Sequence, residues 1–538
     1  RRGELVSCYL LSIDDSLNSI NYNEGVARTL SKYGGGVALN LSRLRARCES
    51  IKEIENCAKG VIPVAKSLEM SFQYADQLGQ RPGAGAVYLN VFHADLPEFL
   101  DTKKVNADEG LRLATISTGL IVPDKFMELA KKNQPFYMFY PHNVYKHYGI
   151  HLDDMNMSDM YDVLVADPNI KKREGSARDI LNQVAKMQLQ SGYPYLMFKD
   201  NANKVHALKE IGDIHQSNLC VEIMQLQEVS EIGNYGEEWD IKRDISCNLG
   251  SLNIANVMEH KNMYEAVFAA MKALTSVSNM SHVDNAPGVI KANDELHSVG
   301  LGVMNLHGYL AKNLIPYDSD EAKEFADVFF AAMNYYSILA SMHIARKTKT
   351  TFKDFDKSEY ANGNYFAKYL ENDYLPKSPI VAQLFDGIDL PTKENWATLA
   401  KRVKKHGLYH AYRLAIAPTQ SISYVQNATS SVMPIVDLIE RRAYGDMETY
   451  YPMPFLDEAT AAVYQSAYTI DQMKLIDLIS VIQGHVDQGI STILYVNSTT
   501  STRELARLYA YAHHKGLKSL YYTRNKLLSV EECTSCSI

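Results

Sequence analysis

Short apolar runs alternate with longer helix-like stretches along the whole chain, and this rhythm is the strongest limit on its fold. Residues 86–91, 492–496 and 519–522 read as strands, and 264–276, 319–346 and 503–514 as helices. Strands alternating with helices make an α/β architecture. No Pro/Gly/Ser-rich linker, internal repeat or low-complexity stretch breaks the pattern, so one large domain is expected over 1–526. At 538 residues and 46% hydrophobic content, the chain can bury a core of that size. Residues 527–538 are polar, terminal and without a clear period, and are expected to form a mobile tail. The chain opens at Arg1 and reaches a strand-like run, 5–11, almost at once, so further residues are expected before it.

Several function classes fall away. A net charge of -8 with no Lys/Arg run lacks the basic stripe that polymeric nucleic acid requires. Apolar stretches such as 266–274 and 328–333 are far short of a membrane span, and the start has no signal-peptide pattern, so a cytoplasmic protein is expected. Seven cysteines are too few for a disulfide-stapled scaffold. The 16 histidines show no metal-ligand spacing, and no metal site is expected.

The cysteines sort by neighbourhood. In Ser217-Asn218-Leu219-Cys220-Val221-Glu222-Ile223 the amide, thiol and carboxylate recur at every second position. Extended backbone would put all three on one face, where burial without a purpose is costly. The competing reading makes Cys220 core filler with its polar neighbours in solvent, and spacing alone does not choose. Cys8 and Cys247 share the dipeptide Ser-Cys, and each alone reads as a buried free cysteine. Cys533-Thr534-Ser535-Cys536 near the chain end reads as a redox pair; half a zinc site is the alternative, but no second pair completes four ligands. Cys48 and Cys57 have no such pattern and read as structural.

Pro418-Thr419-Gln420-Ser421-Ile422-Ser423, with the hydroxyl-rich 427–431, follows the strand-like 414–417. Free N–H groups and hydroxyls there suit a phosphate, although a plain capped turn accounts for them equally. Gly34-Gly35-Gly36 adds weak support for phosphate binding. Asp14-Asp15-Ser16 serves as an ordinary helix start, and Arg43, Arg45 and Arg47 as solvated charges. Tyr521-Tyr522 is either packing or two redox-active phenols in series.

Together, residues 2–8, 217–222, DISCNLGSLN at 244–253, 418–434, KSLYY at 518–522 and the Cys533/Cys536 tail resemble the large subunit of class I ribonucleotide reductase. The resemblance runs along the whole chain, and 244–255, 305–310 and 421–434 look closest to the class Ib branch. It implies a ten-stranded α/β barrel whose central finger loop carries Cys220, with Cys8 and Cys247 on strands beside it. In that family Cys220 would become a transient thiyl radical that takes the 3′ hydrogen of a ribonucleoside diphosphate. Glu222 would act as general base, Asn218 would orient the sugar, and the Cys8/Cys247 dithiol would be oxidised to a disulfide. Ser7, Asn218, Thr419, Ser421 and Ser423 would hold the substrate.

The same resemblance implies that no cofactor is bound in this chain. Tyr521 and Tyr522 would relay a radical from a separate radical-generating small (beta) subunit as a stacked pair. Cys533 and Cys536 would carry electrons in from a thioredoxin- or glutaredoxin-like protein. Asp15, Ser16, Arg45 and Arg81 would bind a deoxynucleoside triphosphate or ATP effector at a homodimer interface. The family's helical N-terminal domain has no counterpart in this sequence, and would come from a separate N-terminal polypeptide or lie outside the sequence. A nucleotide-binding regulatory or assembly partner, inactive without that piece, is the alternative. A glycyl-radical enzyme is set aside because 517–538 contains no glycine, and a cobalamin-dependent reductase because the tyrosine pair points to a radical subunit.

Overall fold

The computed structural model describes residues 3–75, 82–104, 106–444 and 447–526. Its centre is a curled sheet. Strands Cys8–Ser12, Gly36–Asn40, Gly85–Asn90, Ser117–Val122 and Tyr195–Phe198 lie side by side in that order, all parallel. Every residue in them is buried. Burial on both faces explains why they read as continuous apolar runs rather than as alternating patterns. Parallel neighbours need crossover connections, and helices such as Leu17–Lys32 and Val61–Tyr74 supply them. Ser16 starts the first of these helices, its side chain accepting from the Ser19 amide at 3.0 Å.

Antiparallel strands flank this sheet, Ile245–Ser246 beside Cys8–Ser12 and Ser519–Leu520 beside Tyr195–Phe198. The first runs on into Leu249–Asn253, which pairs in parallel with Gly300–Met304. From there Leu301 bridges Leu414, and Ile416 bridges Ile490. The Tyr521 amide then donates to the Thr492 carbonyl at 2.8 Å, next to Ser519–Leu520. Backbone hydrogen bonds thus lead from one edge of the sheet round to the other, as in a barrel, with residues 217–223 buried among them.

Helix Asp320–Thr348 is long and apolar enough to cross a membrane, but 78% of its apolar window is buried inside the protein. It packs against Met263–Met280, Lys393–His406 and Gln472–Gln483. Arg413, fully buried, ties it to the barrel: its guanidinium donates to Asn334 (3.0 Å) and Ser337 (2.7 Å) of that helix. Asp487 answers its charge at 3.6 Å and accepts from the Arg413 and Leu414 amides.

The strands expected at 86–91, 492–496 and 519–522 form as Gly85–Asn90, Leu494–Val496 and Ser519–Leu520. The expected helices form as Met263–Met280, Asp320–Thr348 and Thr502–His514. One expectation is corrected. Residues 217–223 are not extended: the Asn218 side-chain oxygen accepts from the Glu222 and Ile223 amides, both at 3.0 Å, and closes a turn. A side chain that captures amides in this way competes directly with strand pairing. Cys48 and Cys57, read as structural, lie outside the core: Cys48 is exposed and Cys57 only partly buried.

Candidate active site

Cys220 sits at the tip of that turn, gripped from several sides. Tyr88 Oη donates to the Asn218 carbonyl (2.7 Å), the Ser519 hydroxyl to the Val221 carbonyl (2.8 Å), and the Gly489 amide to the Glu222 carbonyl (2.8 Å). The Ser491 hydroxyl lies 2.6 Å from the Cys220 carbonyl and 3.0 Å from Glu222 Oε2. Val221 takes a left-handed backbone, φ 61°. That conformation is rare for a β-branched residue and costs on the order of 1–3 kcal/mol, so the surrounding bonds hold it there. The turn still delivers what the alternation suggested, because Asn218, Cys220 and Glu222 all face one cavity of about 230 Å³.

Cys8 and Cys247 meet beside this cavity. Pairing of Tyr9 with Ser246 sets them opposite each other, and the Cys247 amide donates to the Cys8 carbonyl at 2.8 Å. Asn218 Nδ2 approaches Cys8 Sγ at 3.5 Å. The Cys247 thiol, hydrogen-bonded to Cys8, holds Cys8 below the ordinary thiol range against the opposing effect of burial. Burial first, and then Cys8, pushes Cys247 well up. One thiol is thus disposed to ionise and its neighbour to keep its proton. Glu222 is pushed up to about 7 by burial, partly offset by hydrogen bonds from Asn218 and Ser491. A carboxyl poised near neutrality can take and return a proton.

Tyr521 Oη donates to Cys220 Sγ at 3.5 Å. Tyr522 follows with ring centroids 4.7 Å apart, and Tyr195 lies 4.7 Å from Tyr521 on another side. The Tyr521 and Tyr522 planes cross at 66°, so the pair is edge-to-face rather than stacked.

Across the cavity stand Thr419 and Ser421, at the start of the short helix Gln420–Val425. Ser7 lines the near side. Ser423 does not reach the cavity: it is fully buried, and its hydroxyl shares a hydrogen bond with Thr419 Oγ1 at 2.8 Å. Thr419 Oγ1 also accepts from the Ser431 amide at 2.7 Å, so these two hydroxyls shape the turn.

Asp15 and Arg45 are joined side chain to side chain at 2.9–3.2 Å, with the Arg45 amide also donating to Asp15 at 3.0 Å, so Arg45 is not a free solvated charge. Arg43 likewise pairs with Asp154 at 2.7 Å. Arg81, Cys533 and Cys536 lie outside the described residues. Among the described residues no group of three or more His, Cys, Asp or Glu gathers as a metal site would.

Tyr88, Tyr195 and Ser491 were not anticipated. Their local sequence carries no motif, and they reach the site only through the fold.

The comparisons with known proteins agree with this geometry. Residues 6–523 match the family model described as ribonucleotide reductase, barrel domain. The chain is 52% identical over its whole length to the ribonucleoside-diphosphate reductase subunit alpha of Bacillus subtilis (strain 168), covering 77% of that protein. It is 42% identical, again over its whole length, to the protein of the same name from Mycoplasma pneumoniae, also covering 77%. The Treponema pallidum subunit alpha is 30% identical over 99% of this chain. With a family match that takes in every described strand of the curled sheet and the loop it surrounds, the chain belongs to the ribonucleotide reductase family.

Proposed function

We propose that the chain is the catalytic subunit of a ribonucleoside-diphosphate reductase, replacing the 2′-hydroxyl of a ribonucleoside diphosphate with hydrogen. The observation that carries this reading is the gathering of Cys8, Cys220 and a carboxyl near its neutral point, Glu222, on one cavity, with Cys247 against Cys8 and the buried Tyr521 hydrogen-bonded to Cys220. An oxidised Tyr521 takes the hydrogen atom from the Cys220 thiol, its hydrogen-bond partner. The thiyl radical takes the 3′ hydrogen of the sugar, and Glu222 accepts the 3′-hydroxyl proton. The 2′-hydroxyl leaves as water, taking a proton from the Cys8/Cys247 pair. That pair gives its second hydrogen to C2′, supplies the two electrons of the reduction as it closes to a disulfide, and Glu222 returns its proton to the 3′ oxygen. Cys220 then returns its hydrogen to C3′.

The remaining assignments belong to the same proposal. Ser7, Thr419, Ser421 and the amides of the Gln420–Val425 turn receive the diphosphate, with Ser423 buttressing Thr419. Asp15, Ser16, Arg45 and Arg81 bind a nucleoside triphosphate effector at a homodimer contact. Cys533 and Cys536 shuttle electrons from a thioredoxin- or glutaredoxin-like protein, and a radical-generating beta subunit docks so as to oxidise Tyr522. Mixing the chain with a class I small subunit, a dithiol and a ribonucleoside diphosphate tests the reading. Deoxynucleotide is expected; none formed while substrate demonstrably binds would overturn it.

A further inference from the structure

Ser491 is 1% exposed, and its amide is fixed to the Ile416 carbonyl at 3.0 Å. Its hydroxyl faces two oxygens at once, the Cys220 carbonyl at 2.6 Å and Glu222 Oε2 at 3.0 Å. A hydroxyl owns one hydrogen and two lone pairs, whereas a carbonyl oxygen can only accept. With Glu222 ionised, both neighbours are acceptors and compete for a single hydrogen. With Glu222 protonated, the carboxyl can donate to Ser491 Oγ, and the serine hydrogen goes wholly to Cys220. The two protonation states of Glu222 therefore demand two orientations of one hydroxyl.

We propose that Ser491 is a positioning residue whose hydroxyl couples the proton on Glu222 to the hold on the Cys220 peptide. The inference rests on the reading of Glu222 as proton acceptor and deepens it. Before proton transfer the serine hydrogen is drawn to the carboxylate and stabilises its ionised form. Once Glu222 has taken the 3′-hydroxyl proton, the hydrogen turns to the Cys220 carbonyl and tightens the loop tip under the radical-bearing sulfur. The proton moves from the substrate oxygen to Glu222 and back, and the serine exchanges nothing.

Other groups facing the carboxyl are Cys220 and Asn218 from its own loop, Cys8 from Cys8–Ser12, Cys247 just after Ile245–Ser246, and Tyr88 from Gly85–Asn90. Cys8, Cys220, Cys247 and Tyr88 can bear charge only as anions, so deprotonation of any of them would favour the protonated carboxyl. Ser491 opposes them by donating to the ionised form.

The test is the pH profile of kcat/KM for the assembled reductase, comparing wild type with Ser491→Ala and Ser491→Thr. Loss of a hydrogen bond to a charged group should move the acid limb of Ser491→Ala upward by about one pH unit or more. Ser491→Thr, which keeps the hydroxyl, should hold the limb near its wild-type position even if its rate falls. A Ser491→Ala rate lowered by one factor at every pH, with the limb unmoved, would mean a merely structural role and overturn the proposal. Should the variants fail to fold, an infrared titration of the wild-type chain decides. The carboxyl band, assigned by its loss in Glu222→Gln, is expected at a hydrogen-bonded frequency, and a free-carboxyl band overturns the proposal. A wild type that makes no deoxynucleotide at any pH would instead sink the functional reading, leaving the infrared result to judge Ser491.

Discussion

Glu222 is a fully buried carboxyl, and its displacement from the usual 4.5 to about 7 amounts to stability on the order of 3 kcal/mol. The folded chain favours the protonated acid, so this stabilisation is fully present below the unfolded value. It is lost as pH rises through about 7. Glu222→Gln cannot ionise, and should therefore melt higher than wild type above about pH 8 and close to it in acid. A thermal unfolding series across pH checks this, and parallel curves would contradict it. Tyr521→Phe removes one oxygen from a ring that still packs on Tyr195 and Tyr522. Folding and nucleotide binding should survive while turnover disappears; loss of nucleotide binding would mark the tyrosine as structural. At this scale the sequence is partly legible. Asn218, Cys220 and Glu222 stand out because they are polar at close spacing in an apolar setting. Tyr88 and Ser491 do not, because they reach the loop from 130 and 271 residues away.

The loop carrying Cys220 shows where pattern and structure part. Its alternation is that of a strand, but Asn218 spends its side-chain oxygen on two amides and folds the segment back. Strands buried on both faces and the long amphipathic helices were legible, since their apolar runs and periods reflect burial directly. The strand-like 414–417 pairs only through single bridges, Leu301 to Leu414 and Ile416 to Ile490, and the stretch around Ile490 carries no pattern of its own. Gly489 belongs to this stretch and is needed there for space. A Cβ on it would lie 2.8 Å from the Val221 carbonyl oxygen and 3.2 Å from the Glu222 Cα, both backbone atoms. Gly489→Ala must push the turn away, costing about 1–3 kcal/mol as overpacking usually does. Turnover should fall far more than stability, because the displaced atoms carry Cys220 and Glu222. Differential scanning and a turnover assay on the same preparation check this; wild-type turnover would show that the grip on the loop is not needed.

Across the molecule, the barrel brings Cys8, 212 positions from Cys220 in sequence, onto the cavity of Cys220 and sets Cys247, 27 positions away, against Cys8, a juxtaposition no local motif announces. The chain covers 77% of the length of its Bacillus subtilis relative. Reduction must be renewed from outside the cavity, and the proposed carriers are Cys533 and Cys536, beyond the described residues. Changing both to Ser should stop sustained turnover with a thioredoxin-like protein but leave much of the activity with a small dithiol that diffuses in. Equal losses with both reductants would exclude a shuttle. Cys220 is the centre of the whole account, and its substitution is the most direct test. With small subunit, effector and a small dithiol supplied, Cys220→Ser should bind ribonucleoside diphosphate as wild type does and yield no deoxynucleotide, because a serine O–H is far harder to convert to a radical than a thiol. Measurable deoxynucleotide from Cys220→Ser would contradict the thiyl-radical mechanism.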